Sequence, residues 1–159
     1  MNITYKPIGY VHSPIKKSEG APIQSIGADN MNGYIELDPS LIEGLKDLDG
    51  FSHLIVLYHF HKSKDVQLLC KPFLEDIEHG IFAIRGPNRP NAIGCSIVTN
   101  IRIEGNIIHI GNVDMLDGTP VLDIKPYVHE FDSRSNTRNG WLDKNVKRSK
   151  TIRSDNRFL

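Results

Sequence analysis

The stretch "GCSIVTNIRIEGNIIHI", from Gly94 to Ile110, decides the fold, because it contains two apolar runs separated by a short polar turn. Its β-branched residues are typical of strands. Glu104-Gly105-Asn106 supplies the short glycine-containing loop that commonly joins two antiparallel strands. The sequence therefore predicts a β-hairpin here.

Further short strands are predicted on both sides of this hairpin. They lie in "YKPIGYVH", "GYIELD", "GIFAI", the strand-like "NVD" and a final run that ends at Pro126 after an Asp117–Pro120 turn. "FSHLIVLYHFH" is apolar, β-branched and aromatic, which predicts a central strand buried on both faces. Because helices do not alternate with these strands, we expect a mainly β fold, an antiparallel sheet or barrel rather than a Rossmann fold.

One helix and one long loop interrupt the strands. Asp38 can cap the helix "DPSLIEGLKDL", and Pro39 suits its first position. Its apolar face would contain Leu41, Ile42, Leu45 and Leu48. Residues 18–32 show no period and are read as a long loop, a feature that is usually functional or disordered in a compact domain.

Composition indicates a globular, cytoplasmic protein. The chain has 159 residues, 39% hydrophobic and 24% charged, with a formal net charge of zero. No apolar run approaches the roughly 20 residues of a membrane span, and the N-terminus does not resemble a secretory signal, so no membrane partner is expected. Cys70 and Cys95 are too few for a disulfide framework, fit a reducing compartment, and are read as small buried hydrophobes.

The charge is unevenly distributed along the chain. Six of the 19 basic residues but one of the 19 acidic residues lie in the last 16 positions. We therefore expect one domain over residues 1–130 and a polar, basic tail over 131–159, in which Trp141-Leu142 is a candidate docking point. Such a tail is either a solvated terminus or an arm that contacts phosphate.

The loop "RGPNRPNAIG", Arg85 to Gly94, is stiffer and more charged than a turn requires. It matches neither a phosphate-binding P-loop nor a dinucleotide-binding glycine turn. Pro87 and Pro90 restrict the segment that carries Arg85 and Arg89, so both guanidinium groups suit bidentate binding of a carboxylate or phosphate. The alternative is that they form structural salt bridges with the acidic body.

Histidines and aspartates supply the other candidate groups. Alternation would place His53, His59 and His61 on one face of the strand. A His-x-His pair is a weak signal for a metal site, so no metal is expected. His61 is instead assigned to ligand binding, because it lies at the end of the predicted strand. Asp117 is explained by its turn. Asp114 is a candidate to bind a ribose diol or to act as a base.

Four stretches together resemble motifs of the TsaA or TrmO-like family of S-adenosylmethionine-dependent tRNA methyltransferases. They are "IGYVHSP", "DGFSHLIVLYHFH", "GIFAIRGPNRPNAIGCSIV" and "VDMLDGTPVLDIKPYV", and the resemblance covers roughly residues 3–128. It implies a small antiparallel β-barrel unlike the Rossmann methyltransferases, and a homodimer with S-adenosylmethionine near the subunit interface. The implied reaction methylates the modified amino group of threonylcarbamoyl-adenosine beside the tRNA anticodon.

The resemblance also implies site residues. Pro22, Ile23 and Gln24 fall where the family typically has Pro-Arg-Gln, so Ile23 stands where an arginine is usual. The other implied cofactor contacts are His61, Lys62, Arg85, Ile97, Asp114, Met115, Leu116 and Asp117. We further hypothesise that Asp114 or Asp117 either binds the cofactor ribose or acts as the catalytic base, and that Arg89 and Lys125 contact the substrate.

Two other functions fit the same residues. The chain could be an S-adenosylmethionine-binding enzyme of this fold that acts on a small molecule or another RNA. It could also be a binding module that senses the cofactor without transferring a methyl group. We therefore treat the acceptor as open at this point.

Overall fold

A closed antiparallel β-barrel forms the body of the protein in the computed structural model, which describes residues 1–158. Its strands are β1 (Gly9–His12), β2 (Asn32–Leu37), β3 (His53–His59), β6 (Ile93–Glu104), β7 (Ile107–Gly111) and β8 (Pro120–Pro126). The order around the barrel is β1-β2-β7-β6-β3-β8. Two short strands, β4 (Leu69–Cys70) and β5 (His79–Gly80), pair outside it. The predicted mainly β, non-Rossmann fold is confirmed.

The barrel interior is filled by the inward-facing side chains of all six strands. Alternation along each strand sends every second residue inward, so an apolar residue at those positions is removed from water. Burying one such side chain completely contributes about 1.5–3 kcal/mol. The buried cluster comprises Val11, Ile35, Leu54, Val56, Tyr58, Val98, Ile108, Ile110, Val113, Met115 and Val121.

The predicted hairpin is confirmed, and it pairs β6 with β7. Gly105 has φ +60° in its turn, a left-handed conformation that glycine adopts without a Cβ penalty. Asn106 Nδ2 donates to the Leu37 carbonyl at 2.8 Å and so joins the turn to the end of β2. The hairpin is thereby fixed in the barrel wall.

The prediction that "FSHLIVLYHFH" is buried on both faces was wrong. Leu54, Val56 and Tyr58 face the core, while His53 and His59 on the opposite face are exposed. The reason is architectural, because a barrel has no second layer of structure outside its wall. Cys95 is exposed on the outer face of β6 for the same reason, contrary to expectation, whereas Cys70 is buried.

Two other predicted strands are absent from the described residues. "GIFAI" forms a 3-10 turn over Ile81–Ala83 that buries Ile81, and only His79–Gly80 before it is extended in a ladder. "NVD" is not a strand either, because Asn112 takes a left-handed φ of +59° directly after β7 and the strand ends at Gly111. The turn before β8 is confirmed, with Gly118 at φ +76°.

The predicted helix after Asp38 is a 3-10 helix over Pro39–Leu45, shorter than expected. Its cap is confirmed, since an Asp38 carboxylate oxygen accepts from the Ser40 N–H at 2.9 Å. The predicted apolar face was partly wrong. Leu41 and Ile42 are exposed, and only Leu45 and Leu48 pack against the core.

The C-terminal segment packs back against the loops at one side of the barrel. It contains α1 (His129–Asp132) and 3-10 turns over Gly140–Lys144 and Val146–Lys150. Trp141 packs with Ile81 and Ile84, so this predicted docking point is confirmed. Within residues 1–158, none of the helices has both the length and the apolar composition needed to cross a bilayer.

Candidate functional site

Asp114 lies at the centre of a polar cluster at one end of the barrel. Its chain neighbours Val113 and Met115 insert into the core, where they are 0% and 1% exposed, so the loop between β7 and β8 is anchored on both sides of Asp114. The Ser96 hydroxyl donates to Asp114 Oδ1 at 2.6 Å. The Ser25 backbone N–H lies close enough to the Asp114 carboxylate to lower its pKa. Two other segments of the chain therefore face this carboxylate.

Burial changes the protonation of this carboxyl group. Removal from water raises the pKa of Asp114 to about 6, although the Ser96 hydrogen bond, the nearby Ser25 N–H and the charge of Arg85 act in the opposite direction. Burial, followed by the negative charge of Asp114, raises the pKa of Tyr58 well above its usual range. Asp114 is consequently ionised at neutral pH but is a stronger base than an ordinary aspartate.

Arg85, the first residue of the stiff loop Arg85–Gly94, lies near the same cluster. Its guanidinium donates to Gln24 Oε1 at 3.1 Å and remains exposed. This bond joins two segments that are 61 positions apart in the chain. The structure thus brings together Gln24, Arg85 and Asp114, three of the predicted cofactor contacts, while Pro22 and Ile23 directly precede Gln24.

Arg89 holds the loop from within. Its Nη1 donates to the backbone carbonyls of Ile81, Ile84 and Gly86, at 3.3, 3.0 and 3.2 Å. Three carbonyls on one guanidinium restrict the backbone on both sides of Arg85. The salt bridge that the sequence allowed for Arg89 is replaced by these neutral acceptors, and its predicted contact with the substrate stays a prediction.

His61 lies beyond the end of β3 rather than on the face shared by His53 and His59, so the predicted common face was wrong. Its Nδ1 is 3.4 Å from Thr119 Oγ1, which brings it beside the loop that carries Asp114. Burial, followed by the charge of exposed Lys62, lowers the pKa of His61 and favours a neutral ring. In the part of the chain that is described, no three His, Cys, Asp or Glu side chains converge as a metal site.

Asp117 belongs to a different environment. Its Oδ1 accepts from the Ser13 N–H at 3.0 Å, and its Oδ2 is 2.8 Å from Lys16 Nζ. The Lys16 ammonium, followed by the Ser13 N–H, lowers the pKa of Asp117. The partners of Asp117 therefore differ from Ser96, which is the partner of Asp114.

The remaining predicted residues occupy three kinds of position. Ile97 is 42% exposed on the outer face of β6, where a ligand can contact it. The Met115 side chain is inside the barrel, and that of Leu116 is half-buried. Lys125 is exposed on β8 and pairs with Asp123 at 2.5 Å.

Sequence reasoning missed Ser25, Tyr58 and Ser96, which complete the cluster. Ser96 carried a usable signal, because alternation places it on the same inward face as Gly94 and Val98. A buried hydroxyl needs a hydrogen-bonding partner. Ser25 carried no such signal, because its contact with Asp114 is made by a backbone N–H.

Comparison with known proteins identifies the family. Residues 10–133 match the family model described as the tRNA-methyltransferase O N-terminal domain. The chain belongs to the tRNA-methyltransferase O family. A probable S-adenosyl-L-methionine-binding protein of Pyrococcus abyssi is 51% identical over 99% of this chain and 85% of that protein.

A mouse relative is named as an enzyme, and a bacterial relative has a crystal structure. The tRNA (adenine(37)-N6)-methyltransferase of Mus musculus is 35% identical over 85% of this chain but 33% of its own length. The crystal structure of TrmO from Pseudomonas aeruginosa superposes with a TM-score of 0.76 and 36% identity, over 90% of this chain and 64% of that chain. This family member thus spans a third of the mouse enzyme and under two thirds of the crystallised bacterial chain.

Proposed function

We propose that this protein is an S-adenosylmethionine-dependent methyltransferase that N-methylates threonylcarbamoyl-adenosine beside the anticodon of tRNA. Family membership supports methyl transfer to tRNA in general, and the names of the Pyrococcus and mouse relatives support the cofactor and the adenosine. The observation that carries the proposal is the junction of Gln24, Arg85 and Asp114, where a carboxyl group with a raised pKa lies near an exposed guanidinium.

The residues at this junction fit the chemistry of S-adenosylmethionine. Its amino-acid carboxylate matches the planar, exposed guanidinium of Arg85. Its hydroxyl and amino groups match the acceptor oxygens of Asp114 and the amide of Gln24. Exposed Ile97 offers apolar surface for the adenine ring. When bound, the cofactor supplies an electrophilic methyl group.

Asp114 is proposed as the base that prepares the acceptor. A urea-like nitrogen is a poor nucleophile until it loses a proton, so a base within hydrogen-bond reach accelerates the reaction. With a pKa near 6, Asp114 is ionised at pH 7 and still accepts a proton more readily than a solvated aspartate. Arg89 supports the geometry indirectly, because it fixes the loop that carries Arg85.

Exposed basic side chains provide contacts for tRNA phosphates. Lys62 and Lys64 follow β3, and the C-terminal segment adds Lys144, Lys147, Arg148, Lys150 and Arg153. Phosphate contacts of this kind release counterions, so tRNA affinity should fall steeply as salt is added. The predicted contacts of Arg89 and Lys125 with the substrate belong to the same proposal.

A homodimer is also part of the proposal, and its supporting observation is an apolar stripe on the outside of β6. Ile93, Ile97 and Ile101 are 41%, 42% and 46% exposed on that strand. Light scattering of the purified protein should give twice the chain mass. A mass equal to one chain would contradict the proposed homodimer and its subunit interface. Because the proposed substrate is tRNA, we expect the protein to act in the cytoplasm.

The decisive experiment is nucleoside mass spectrometry of tRNA incubated with the protein and S-adenosylmethionine. A single added methyl group on threonylcarbamoyl-adenosine is the expected result. Transfer of labelled methyl only to small metabolites or to another nucleoside would support a different acceptor. Thermal stabilisation by the cofactor without transfer to any fraction would instead indicate a sensor.

A further inference from the structure

Residues 140–158, which we call the C-terminal strap, lie beyond residue 133, where the match to the family model ends. The sequence suggested a solvated tail or an arm that contacts phosphate. In the structure, the strap runs across two loops that both lead to the Asp114 cluster. One loop is residues 18–28 and the other is residues 70–86.

The first loop is joined to the strap by backbone groups. Ser154 N–H donates to the Ala21 carbonyl at 2.9 Å, and Gly20 N–H donates to the Ser154 carbonyl at 2.8 Å. Further along the loop, Gly27 is buried against the strap. A Cβ atom at Gly27 would lie 2.9 Å from the Ser149 carbonyl oxygen, so only glycine fits there without displacing the backbone.

The second loop is joined to the strap by aromatic rings. Trp141 Nε1 donates to the Ala83 carbonyl at 2.8 Å, and its indole stacks on His79 with ring centroids 4.7 Å apart. At the other end of the strap, Phe158 covers Gly86, where a Cβ atom would lie 3.2 Å from the phenyl ring. Ala83 and Gly86 flank the position of Arg85.

Arg157 strengthens this second junction. Its guanidinium donates to the Pro72 carbonyl and lies 5.5 Å from the centroid of the Phe73 ring. Asp155 Oδ2 is 2.7 Å from Arg157 Nη2 and holds the guanidinium in place. Arg157 is therefore engaged inside the fold, unlike the exposed basic residues of the strap.

The two loops meet at the cluster itself. The Ser25 N–H lies close to the Asp114 carboxylate and lowers its pKa, and Gln24 accepts from Arg85 at 3.1 Å. Neither contact lies within a strand, so each depends on how the loop backbones are held. Loops outside regular ladders keep one position only where other groups contact them.

We propose that the C-terminal strap is a positioning element that holds Gln24, Ser25 and Arg85 against Asp114 and thereby sets the affinity for S-adenosylmethionine. The proposal rests on the proposed function, because it assigns the cofactor to this cluster. The strap itself does not touch the reacting groups. It acts by fixing one loop through Gly27 and the other through Gly86.

The test uses the full chain with Phe158→Ala and Gly27→Ala, which disturb the strap at its two loop contacts. Exposed Asn156, two residues before Phe158, provides the matched control Asn156→Ala. Calorimetry should show S-adenosylhomocysteine binding weakened roughly tenfold or more in both strap variants, as expected when binding groups lose their alignment. Asn156→Ala should bind as the wild type does.

Circular dichroism in urea at the calorimetry temperature separates positioning from unfolding. Both strap variants should remain folded there, since neither residue belongs to the barrel core. Folded variants with wild-type affinity would overturn the positioning role while leaving the proposed function intact. A wild-type protein that does not bind S-adenosylhomocysteine would overturn the proposed function itself.

Hydrogen exchange on the wild-type chain provides a test that does not depend on a variant. Saturating S-adenosylhomocysteine should slow exchange at the Gly20 and Ser154 amides, which join the first loop to the strap. Trp141, the one tryptophan of the chain, should also change its fluorescence on binding. Binding that leaves both readouts unchanged would contradict coupling between the strap and the site.

Discussion

Asp114 and Asp117 lie three positions apart in one loop, but their carboxylates occupy two unlike regions of the molecule. The Asp114 region is half-buried, is held by Ser96 and the Ser25 backbone, and raises the pKa of the carboxyl group. The Asp117 region is closer to solvent, is paired with Lys16, and lowers the pKa. Two side chains of the same type thus differ in role: Asp114 is a candidate base and Asp117 is a structural anion, because their burial and their partners differ.

The largest difference between the two regions should appear on replacing each carboxylate. Asp114→Asn should lower kcat for methyl transfer by roughly 10²–10⁴-fold, because the amide cannot accept the acceptor's proton. Asp117→Asn should lower it by less than about tenfold, as a residue away from the proposed chemistry. Single-turnover assays at saturating cofactor measure both. Equal turnover of Asp114→Asn and the wild type would remove Asp114 as the base.

The pH dependence of transfer should follow the raised pKa of Asp114. The base must be deprotonated, so the rate should rise with pH to about 6 and level off above it. Below that inflection it should fall about tenfold per pH unit. Ser96→Ala should move the inflection upward, because the Ser96 hydrogen bond lowers the pKa. An inflection at about pH 4, as for a solvated aspartate, would contradict a pKa of Asp114 raised by burial.

A stability measurement can test the packing behind the Asp114 region. A Cβ atom at Gly94 would lie 2.3 Å from the ring of Tyr58, whose hydroxyl oxygen is 3.3 Å from Ser96 Oγ. Gly94→Ala should therefore lower the free energy of unfolding by about 1–3 kcal/mol. Gly44→Ala is the control, since a Cβ atom there would meet no other atom within 4 Å. Equal urea midpoints for Gly94→Ala and Gly44→Ala would show that Tyr58 can move away from residue 94 without lowering the free energy of unfolding.

The smallest effect is expected in the Asp117 region. Lys16→Ala should lower the free energy of unfolding at pH 7 by less than about 1 kcal/mol, as for other exposed ion pairs. The pKa of Asp117 is lowered in the folded state, so the contribution is present above the unfolded pKa and is lost as pH falls through the folded one. Urea titrations at several pH values should show the two proteins converging in acid. A difference that grows in acid would exclude this ion pair as its source.

Much of the barrel could be predicted from local patterns. The hairpin, β2, β8 and the turn before β8 follow from alternation and from Gly105 and Gly118 at positive φ. The strand predicted in "GIFAI" failed, because apolar residues in a short run also suit a buried turn. Ile81 enters a small cluster with Cys70 and Trp141, and the distant Trp141 is not visible to a local pattern.

The residues of the candidate site could be predicted from the sequence, but the contacts between them could not. The motif around Arg85 and the resemblance to a family indicated Gln24, Arg85 and Asp114. The Asp117-Gly118 turn distinguished Asp117 locally, but no local pattern showed which groups would contact each carboxylate. Their environments are set by Ser96 and Lys16, which come from other segments of the chain.

The sequence by itself determined the β-rich class, the strand pattern and the family motifs, because side-chain alternation and turn chemistry act over a few neighbouring residues. Only the tertiary structure decided that Asp114 contacts Ser96 while Asp117 contacts Lys16, and that the basic terminus docks. It also decided that Arg85 meets Gln24, 61 positions away. Burial and hydrogen bonding depend on segments that are distant in the chain, and these segments become neighbours only when the barrel closes.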